Sequence, residues 1–163
     1  MKDYERLFEG FYQQYYPMVY MLCLGYMNGN EAKSEDLVQE VFLNIWNALP
    51  KFRKEASPKT WIYRITVNTC LLDIRKSKKE QIDAVAEVPT PIKQDETSGQ
   101  FEELYFAISK LEQLDRMIIL LVLDEVEYAE IAGIVGIKEA TLRVRIHRIK
   151  QKLNKLLKSH GPS

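Results

Sequence analysis

The sequence predicts an all-α protein in which two small helical domains are joined by a flexible acidic linker. Apolar residues recur at spacings of three and four in nearly every periodic segment, and sustained strand-like alternation is lacking. Residues 80–100 break this pattern, because they hold two prolines, one glycine, no aromatic residue, and five acids against one lysine. We therefore expect one domain over residues 1–79 and another over 101–163, each near the lower size limit for a self-sufficient core.

Four helices are predicted in the first domain. The first two cover residues 4–15 and 17–27, because Pro17 suits the first turn of a new helix. A third begins after the turn "NGN" and presents a wide apolar stripe. The stripe comprises Leu37, Val38, Val41, Phe42, Ile45 and Leu49. A fourth helix is expected over residues 59–79, and one face of it carries Ile62, Ile65, Thr69 and Leu72.

Four more helices are predicted in the second domain, over residues 101–110, 114–124, 128–134 and 138–158. The last of them is the longest, and its apolar residues recur at alternating spacings of four and three, which places them on one buried face. This face comprises Leu142, Ile146, Ile149, Leu153 and Leu156. The opposite face carries Ala140, Val144, His147, Arg148 and Gln151, with Arg143 at its edge.

The last two helices of the second domain fit a helix-turn-helix. Ala132 is small enough to let two helices cross closely, and Gly136 permits the turn between them. The predicted small core comprises Ile131, Val135, Ile137, Leu142 and Ile146. The second helix would then lie in a DNA major groove, where arginine binds guanine edges or phosphates and valine contacts a thymine methyl group.

The distribution of charge also indicates nucleic-acid binding. The chain is neutral, with 23 basic and 23 acidic residues. Residues 51–79, however, hold 9 basic side chains against 2 acids, and residues 138–163 hold 8 against 1. One basic run alone could be a solvated helix face, but two such blocks on patterned helices favour a polyanionic partner.

Several other classes of protein are not predicted. The longest unbroken apolar run, residues 117–123, is far shorter than the roughly 20 residues that span a bilayer. The N-terminal residues do not have the pattern of a signal peptide, so we expect a cytoplasmic protein that is not a membrane protein. Cys23 and Cys70 have no neighbouring ligands, and we expect them to be buried reduced thiols without a metal. His147 also lacks a partner ligand and is predicted to contact DNA.

Two motifs, one in each domain, resemble the extracytoplasmic-function (ECF) sigma factors, which belong to the sigma-70 family of bacterial RNA polymerase. "DLVQEVFLNIW", followed by "WIYRITVNTCLLDIRKSKK", is similar to regions 2.2 to 2.4 of that family. "LDEVEYAEIAGIVGIKEATLRVRIHRIKQKL" is similar to region 4. The resemblance covers nearly the whole chain in the family's order. One departure is Val144, which stands where a small polar residue is common.

The resemblance implies a transcription initiation factor with no catalytic activity and no cofactor. It would bind the clamp helices of the largest subunit of core RNA polymerase through Asp36, Gln39 and Glu40. It would read the melted minus-ten element through Lys59, Trp61, Arg64, Asn68, Arg75 and Lys76, whereas Tyr63 is assigned to the core. The minus-thirty-five element would be read through Thr141, Arg143, Val144, Arg145, His147 and Arg148. An anti-sigma factor is a further expected partner.

Two other functions are also compatible with parts of the sequence. An autonomous helix-turn-helix regulator would use its first domain for sensing or dimerisation, and would leave the polar face at Asp36 to Glu40 without a role. A nuclease would need a cluster of metal-binding carboxylates. The acids within the basic blocks are too scattered for such a cluster. They are Glu55, Asp73 and Glu139.

Overall fold

The computed structural model describes residues 2–53, 57–80 and 99–160 of the chain. Every regular element in these ranges is a helix, which confirms the predicted all-α class. The helices are α1 (Lys2–Tyr26), α2 (Glu31–Ala48), α3 (Pro58–Glu80), α4 (Gly99–Ser109), α5 (Gln113–Leu123), α6 (Tyr128–Val135) and α7 (Glu139–His160), with a 3₁₀ turn at Leu49–Lys51. The predicted linker, residues 80–100, falls almost entirely outside the described residues.

The prediction of two helices before residue 28 is wrong, because α1 runs without a break through Pro17. A proline inside a helix removes one backbone hydrogen bond. Aromatic residues on the N-terminal side of Pro17 pack on α2, with the Tyr12 and Tyr16 ring centroids 4.8 and 6.1 Å from that of Phe42. Tyr20, after the proline, stacks on Tyr16 at 6.1 Å. This continuous aromatic packing keeps both halves in one helix.

The N-terminal lobe is formed by α1, α2 and α3, which pack pairwise against one another. All six residues of the predicted α2 stripe are buried. Asn30 begins α2, and its side chain accepts a hydrogen bond from the Lys33 backbone N–H at 3.0 Å. An N-cap of this kind satisfies one of the unpaired N–H groups of the first turn.

The predicted apolar face of α3 is correct only in part. Ile62 and Thr69 are buried, but Leu72 is 53% exposed. Because α3 packs against both α1 and α2, its buried surface is wider than one stripe and includes neighbouring positions. These are Tyr63, Thr66, Val67 and Cys70.

Two cysteines that are distant in sequence belong to the core of the N-terminal lobe. Cys23 on α1 and Cys70 on α3 are both free and fully buried. A hydrogen bond with the Cys23 side chain, together with burial, raises the pKa of the Cys70 thiol well above its usual range. The expectation of buried reduced thiols is therefore confirmed.

The C-terminal lobe consists of α4 to α7 and packs directly on the N-terminal lobe. Arg116 of α5 is buried at this junction and donates to the backbone carbonyls of Leu111 and Tyr26, at 2.8 Å each. Gly25, near the end of α1, allows α5 to approach α1 closely, because a Cβ atom at this position would lie 2.5 Å from Leu120 Cδ1. In this arrangement α3 also contacts α6.

Candidate nucleic-acid and polymerase interfaces

The turn between α6 and α7 is built on Gly136. This residue ends α6 in the left-handed conformation, with φ +77° and ψ 34°, which favours glycine. The backbone N–H groups of Gly136 and Ile137 both donate to the Ala132 carbonyl, at 2.9 and 3.1 Å. Ile131, Ala132 and Leu142 are buried where α6 and α7 meet. The predicted helix-turn-helix geometry is present.

Two glycines three residues apart should respond oppositely to alanine. Gly136→Ala is expected to destabilise the chain by about 1–2 kcal/mol, because the left-handed backbone conformation at this position is unfavourable for alanine. Gly133 lies inside α6 with open space around its Cβ position, so Gly133→Ala should stabilise by about 0.5–1 kcal/mol. Urea unfolding followed by circular dichroism measures both. Shifts of the same sign would contradict the assigned turn.

Helix α7, the second helix of the helix-turn-helix, has one buried and one exposed face, as predicted. Four residues of its apolar stripe are buried, and the fifth, Leu156, is half-buried. The opposite face is exposed and comprises Ala140, Val144, His147, Arg148 and Gln151, with Thr141 and Arg143 beside it. Val144, the large apolar residue of this face, is 53% exposed. This polar and basic surface carries one large apolar side chain, that of Val144, and its composition suits contact with a major groove.

Two arginines of α7 are held in different ways. Arg143 donates to Glu139 Oε1 at 2.9 Å and remains 61% exposed at its side chain. Arg145 instead donates from Nε to Asp115 Oδ1 at 2.6 Å, and lies 3.8 Å from a Glu112 carboxylate oxygen. The structure therefore gives Arg145, which was predicted to bind DNA, a role in joining α7 to the start of α5.

Three of the residues predicted for the minus-ten element lie along one side of α3. At 100° per residue, Trp61, Arg64 and Asn68 fall within about 60° of one another. Arg64 and Asn68 are exposed, whereas Trp61 is half-buried and packs on Phe52, with ring centroids 4.6 Å apart. Asp73 is the last α3 residue whose side chain is described, so the side chains of Arg75 and Lys76 lie outside the described set.

Two further predicted residues of α3 lie away from this line. Lys59 is exposed on the other side of the helix, with its Nζ 5.9 Å from the centroid of the Tyr63 ring. Tyr63 is 2% exposed, which confirms its assignment to the core. Lys59 therefore lies at the start of α3, apart from the strip formed by Trp61, Arg64 and Asn68.

The polar face of α2 continues into an apolar groove. Asp36, Gln39 and Glu40 are all exposed and occupy about 100° of the helix circumference. Leu43 lies within the same strip and is 62% exposed, and Trp46 is 41% exposed. Gln39, Leu43 and Trp46 line a groove of about 580 Å³ between α1 and α2, together with aromatic side chains of both helices.

The described residues hold neither a metal-binding cluster nor a membrane-spanning helix. Within residues 2–53, 57–80 and 99–160, no three His, Cys, Asp or Glu side chains gather into a group that could hold a metal ion. Over the same part of the chain, no helix combines the length and the apolar character that a membrane crossing requires.

Comparison with known proteins identifies the family. Residues 11–80 match Sigma-70 region 2, and residues 101–153 match Sigma-70 region 4. The ECF RNA polymerase sigma factor SigW of Bacillus subtilis is 31% identical over 160 residues, which cover 88% of this chain and 85% of SigW. The chain is an ECF sigma factor.

Other relatives agree with this assignment. EcfG of Rhodopseudomonas palustris is 30% identical over 83% of the sigma factor described here and 77% of EcfG. SigE of Mycolicibacterium smegmatis is 28% identical over 91% of the chain, which spans only 61% of the length of SigE. The family match does not favour the alternative of an autonomous regulator.

Solved structures share the fold of this ECF sigma factor. The sigma factor RpoE of Bartonella quintana, crystallised with the anti-sigma factor NepR, superposes with a TM-score of 0.80 and 22% identity over 99% of this chain and 100% of that one. CnrH, in complex with the cytosolic domain of CnrY, gives a TM-score of 0.69 at 19% identity, over 96% and 91% of the two chains.

The sequence reasoning missed four side chains of the sigma factor's candidate interfaces. Leu43 and Trp46 lie beside the polar face of α2, and Tyr128 and Glu139 contact Arg143. Leu43 and Trp46 had a sequence signal, since they are large apolar residues off the buried stripe of α2. Tyr128 had none, because it comes from a different helix and meets Arg143 only in the folded lobe.

Proposed function

We propose that this ECF sigma factor is a non-enzymatic transcription initiation factor that binds core RNA polymerase and directs it to specific promoters. The observation that carries the proposal is the combination of an exposed basic recognition helix in one lobe with an exposed polar face on α2 in the other. Residues 1–79 correspond to the region 2 domain, 80–100 to the linker and 101–163 to the region 4 domain. Its place of action is the cytoplasm.

Binding to core polymerase is assigned to α2. The side chains of Asp36, Gln39 and Glu40 are exposed and make no hydrogen bond within the described residues. Their carboxylate and amide groups can therefore bind a partner, which we expect to be the clamp helices of core polymerase. Leu43 and Trp46 supply exposed apolar area beside them. An apolar centre with a polar rim is the usual composition of a protein interface. The apolar groove beside Gln39 thus belongs to this proposed polymerase surface.

The minus-ten element is assigned to the exposed strip of α3. Trp61 provides a planar ring, and Arg64 and Asn68 provide hydrogen-bond donors one and two turns later. Single-strand recognition needs this combination of stacking and polar contact. Lys59, at the start of α3, would lie near the same strand, and Arg75 and Lys76 would support contact with its backbone.

Removing the two polar side chains of this strip should impair promoter melting. Arg64→Ala with Asn68→Ala is expected to reduce open-complex formation by the holoenzyme roughly tenfold or more, because each lost base contact weakens binding to the melted strand. Permanganate footprinting measures the melted bases. Arg6→Ala, at an exposed position of α1, is the control and should leave melting unchanged. Unchanged footprints for the double variant would contradict the assignment.

The minus-thirty-five element is assigned to the exposed face of α7. Arg143 and Val144 lie nearer its N-terminal end, where recognition helices meet base edges. Thr141 and His147 lie on the same exposed side, and Arg148, further along, is assigned to phosphate. Arg145 is placed outside this set, since Asp115 holds its guanidinium.

Promoter binding requires the two lobes to separate. The two promoter elements are about 25 base pairs apart, or roughly 85 Å along B-DNA. A compact chain of this length has a radius of gyration of only about 15 Å. The packed arrangement therefore represents the chain away from DNA. An anti-sigma factor is a further expected partner.

Reconstitution tests the proposed function. Purified chain and core polymerase are mixed, run on a sizing column, and used to transcribe a library of bacterial promoter fragments. A 1:1 complex and selective transcripts are expected. If the chain binds specific duplex DNA but never associates with core polymerase, the sigma-factor proposal fails and the autonomous regulator takes its place.

A further inference from the structure

Arg143 is held from two sides at the N-terminal end of the recognition helix. Its Nη2 donates to Glu139 Oε1 at 2.9 Å, one turn earlier on α7. Its guanidinium carbon lies 5.1 Å from the centroid of the Tyr128 ring, at the first residue of α6. With its side chain still 61% exposed, the guanidinium is restrained at the surface without being covered. Both helices of the helix-turn-helix therefore take part in placing this one group.

We propose that Tyr128 and Glu139 are positioning residues that set the sequence specificity of α7 by restraining Arg143 before DNA arrives. The inference rests on the proposed function, in which α7 reads the minus-thirty-five element. A free arginine side chain loses much rotamer freedom when it is immobilised on a base. Restraint by Tyr128 and Glu139 in the free protein removes part of that loss. It also directs the planar fork of donors towards one base position.

The two restraints act differently on phosphate and on bases. The Tyr128 ring attracts the guanidinium through its negative face and carries no charge of its own. The Glu139 carboxylate, 46% exposed at its side chain, repels any phosphate that approaches Arg143. A base edge carries no net charge, so this repulsion penalises phosphate contact more than base contact. Tyr128 therefore raises affinity for the correct duplex, and Glu139 lowers affinity for incorrect ones.

The two roles can be measured with the holoenzyme. A library with a randomised minus-thirty-five segment is bound, and the most enriched duplex is compared with a scrambled duplex of equal composition. Tyr128→Leu should weaken binding to the enriched duplex about twofold to fivefold and leave the scrambled duplex unchanged. Tyr128→Phe keeps the ring and should bind as the parent does. Glu139→Gln keeps an oxygen that accepts the Arg143 hydrogen bond but removes the negative charge. It should therefore tighten binding to the scrambled duplex about twofold to fivefold and leave the enriched duplex unchanged.

An Arg143→Ala background separates this proposal from the function on which it rests. Arg143→Ala should weaken binding to the enriched duplex by about 5- to 150-fold and affect the scrambled duplex far less. Equal losses on both duplexes would overturn base reading by Arg143, and the positioning proposal with it. If Arg143→Ala weakens binding to the enriched duplex more than to the scrambled duplex, but Tyr128→Leu does not, only the positioning role of Tyr128 is overturned.

Two further outcomes would show that Tyr128 acts in another way. A Tyr128→Leu effect that persists in the Arg143→Ala background would mean that Tyr128 only supports the fold, and would overturn its positioning role. Equal losses for Tyr128→Phe and Tyr128→Leu on both duplexes would mean that the hydroxyl binds phosphate, and would overturn it as well. Disappearance of the Tyr128→Leu effect in that background, with rescue by Tyr128→Phe, is the expected result.

Discussion

Reversing two charges on α2, Asp36→Lys with Glu40→Lys, is expected to lower the affinity of this sigma factor for core RNA polymerase by about 100-fold or more. Each lost partner of a buried interfacial charge pair costs about 2–5 kcal/mol, and the introduced like charges add repulsion. Every 1.4 kcal/mol is a factor of ten in affinity. Competition against the parent chain for labelled core polymerase measures the effect.

A charge-matched control isolates the α2 face from net charge. Glu103→Lys with Asp124→Lys changes the net charge by the same amount at exposed acids of the C-terminal lobe. Its affinity for core polymerase should stay within about a few-fold of the parent, since exposed charges away from an interface contribute little. Circular dichroism should show unchanged helicity in both double variants. Undiminished binding of the α2 variant would rule out this face as the polymerase site.

Leu142→Ala is expected to destabilise the C-terminal lobe by about 2–5 kcal/mol. Leu142 is fully buried where the first turn of α7 packs on α6, and removing its branched side chain leaves a cavity that the surrounding helices fill only in part. The free energy of unfolding of a small helical lobe is low, so a loss of this size is a large fraction of it. Duplex DNA binding should therefore fall with folding, and urea unfolding gives the free-energy change.

The neighbouring exposed position provides the comparison for Leu142→Ala. Val144→Ala removes apolar side-chain atoms from a residue of the same helix that is 53% exposed. It should change the free energy of unfolding by no more than about 0.5 kcal/mol. It should still alter base preference if Val144 meets a thymine methyl group. A loss of stability at Val144 as large as that at Leu142 would contradict the assigned orientation of α7.

Local sequence signals predicted most of the helices and the exposed face of α7. The regular spacing of Leu142, Ile146 and Ile149 determines which side of a helix is buried, since 3.6 residues per turn leave one solution. Gly136 marked the turn because few other residues adopt its backbone conformation. Pro17 misled the prediction, because its local preference for a helix start is outweighed by aromatic packing on both sides of it, from Phe8 to Tyr20.

The sequence by itself determined the helical class, the helix-turn-helix, the separation of basic blocks and the resemblance to ECF sigma factors. Only the tertiary structure decided which polar groups meet across helices. Arg116 reaches the Tyr26 carbonyl across 90 residues, Arg145 is engaged by Asp115, and Arg143 is restrained by Tyr128. Helical periodicity gives the face on which a side chain lies, but the partner of a long charged side chain depends on how separate helices pack. That information is absent from the spacing of residues along one helix.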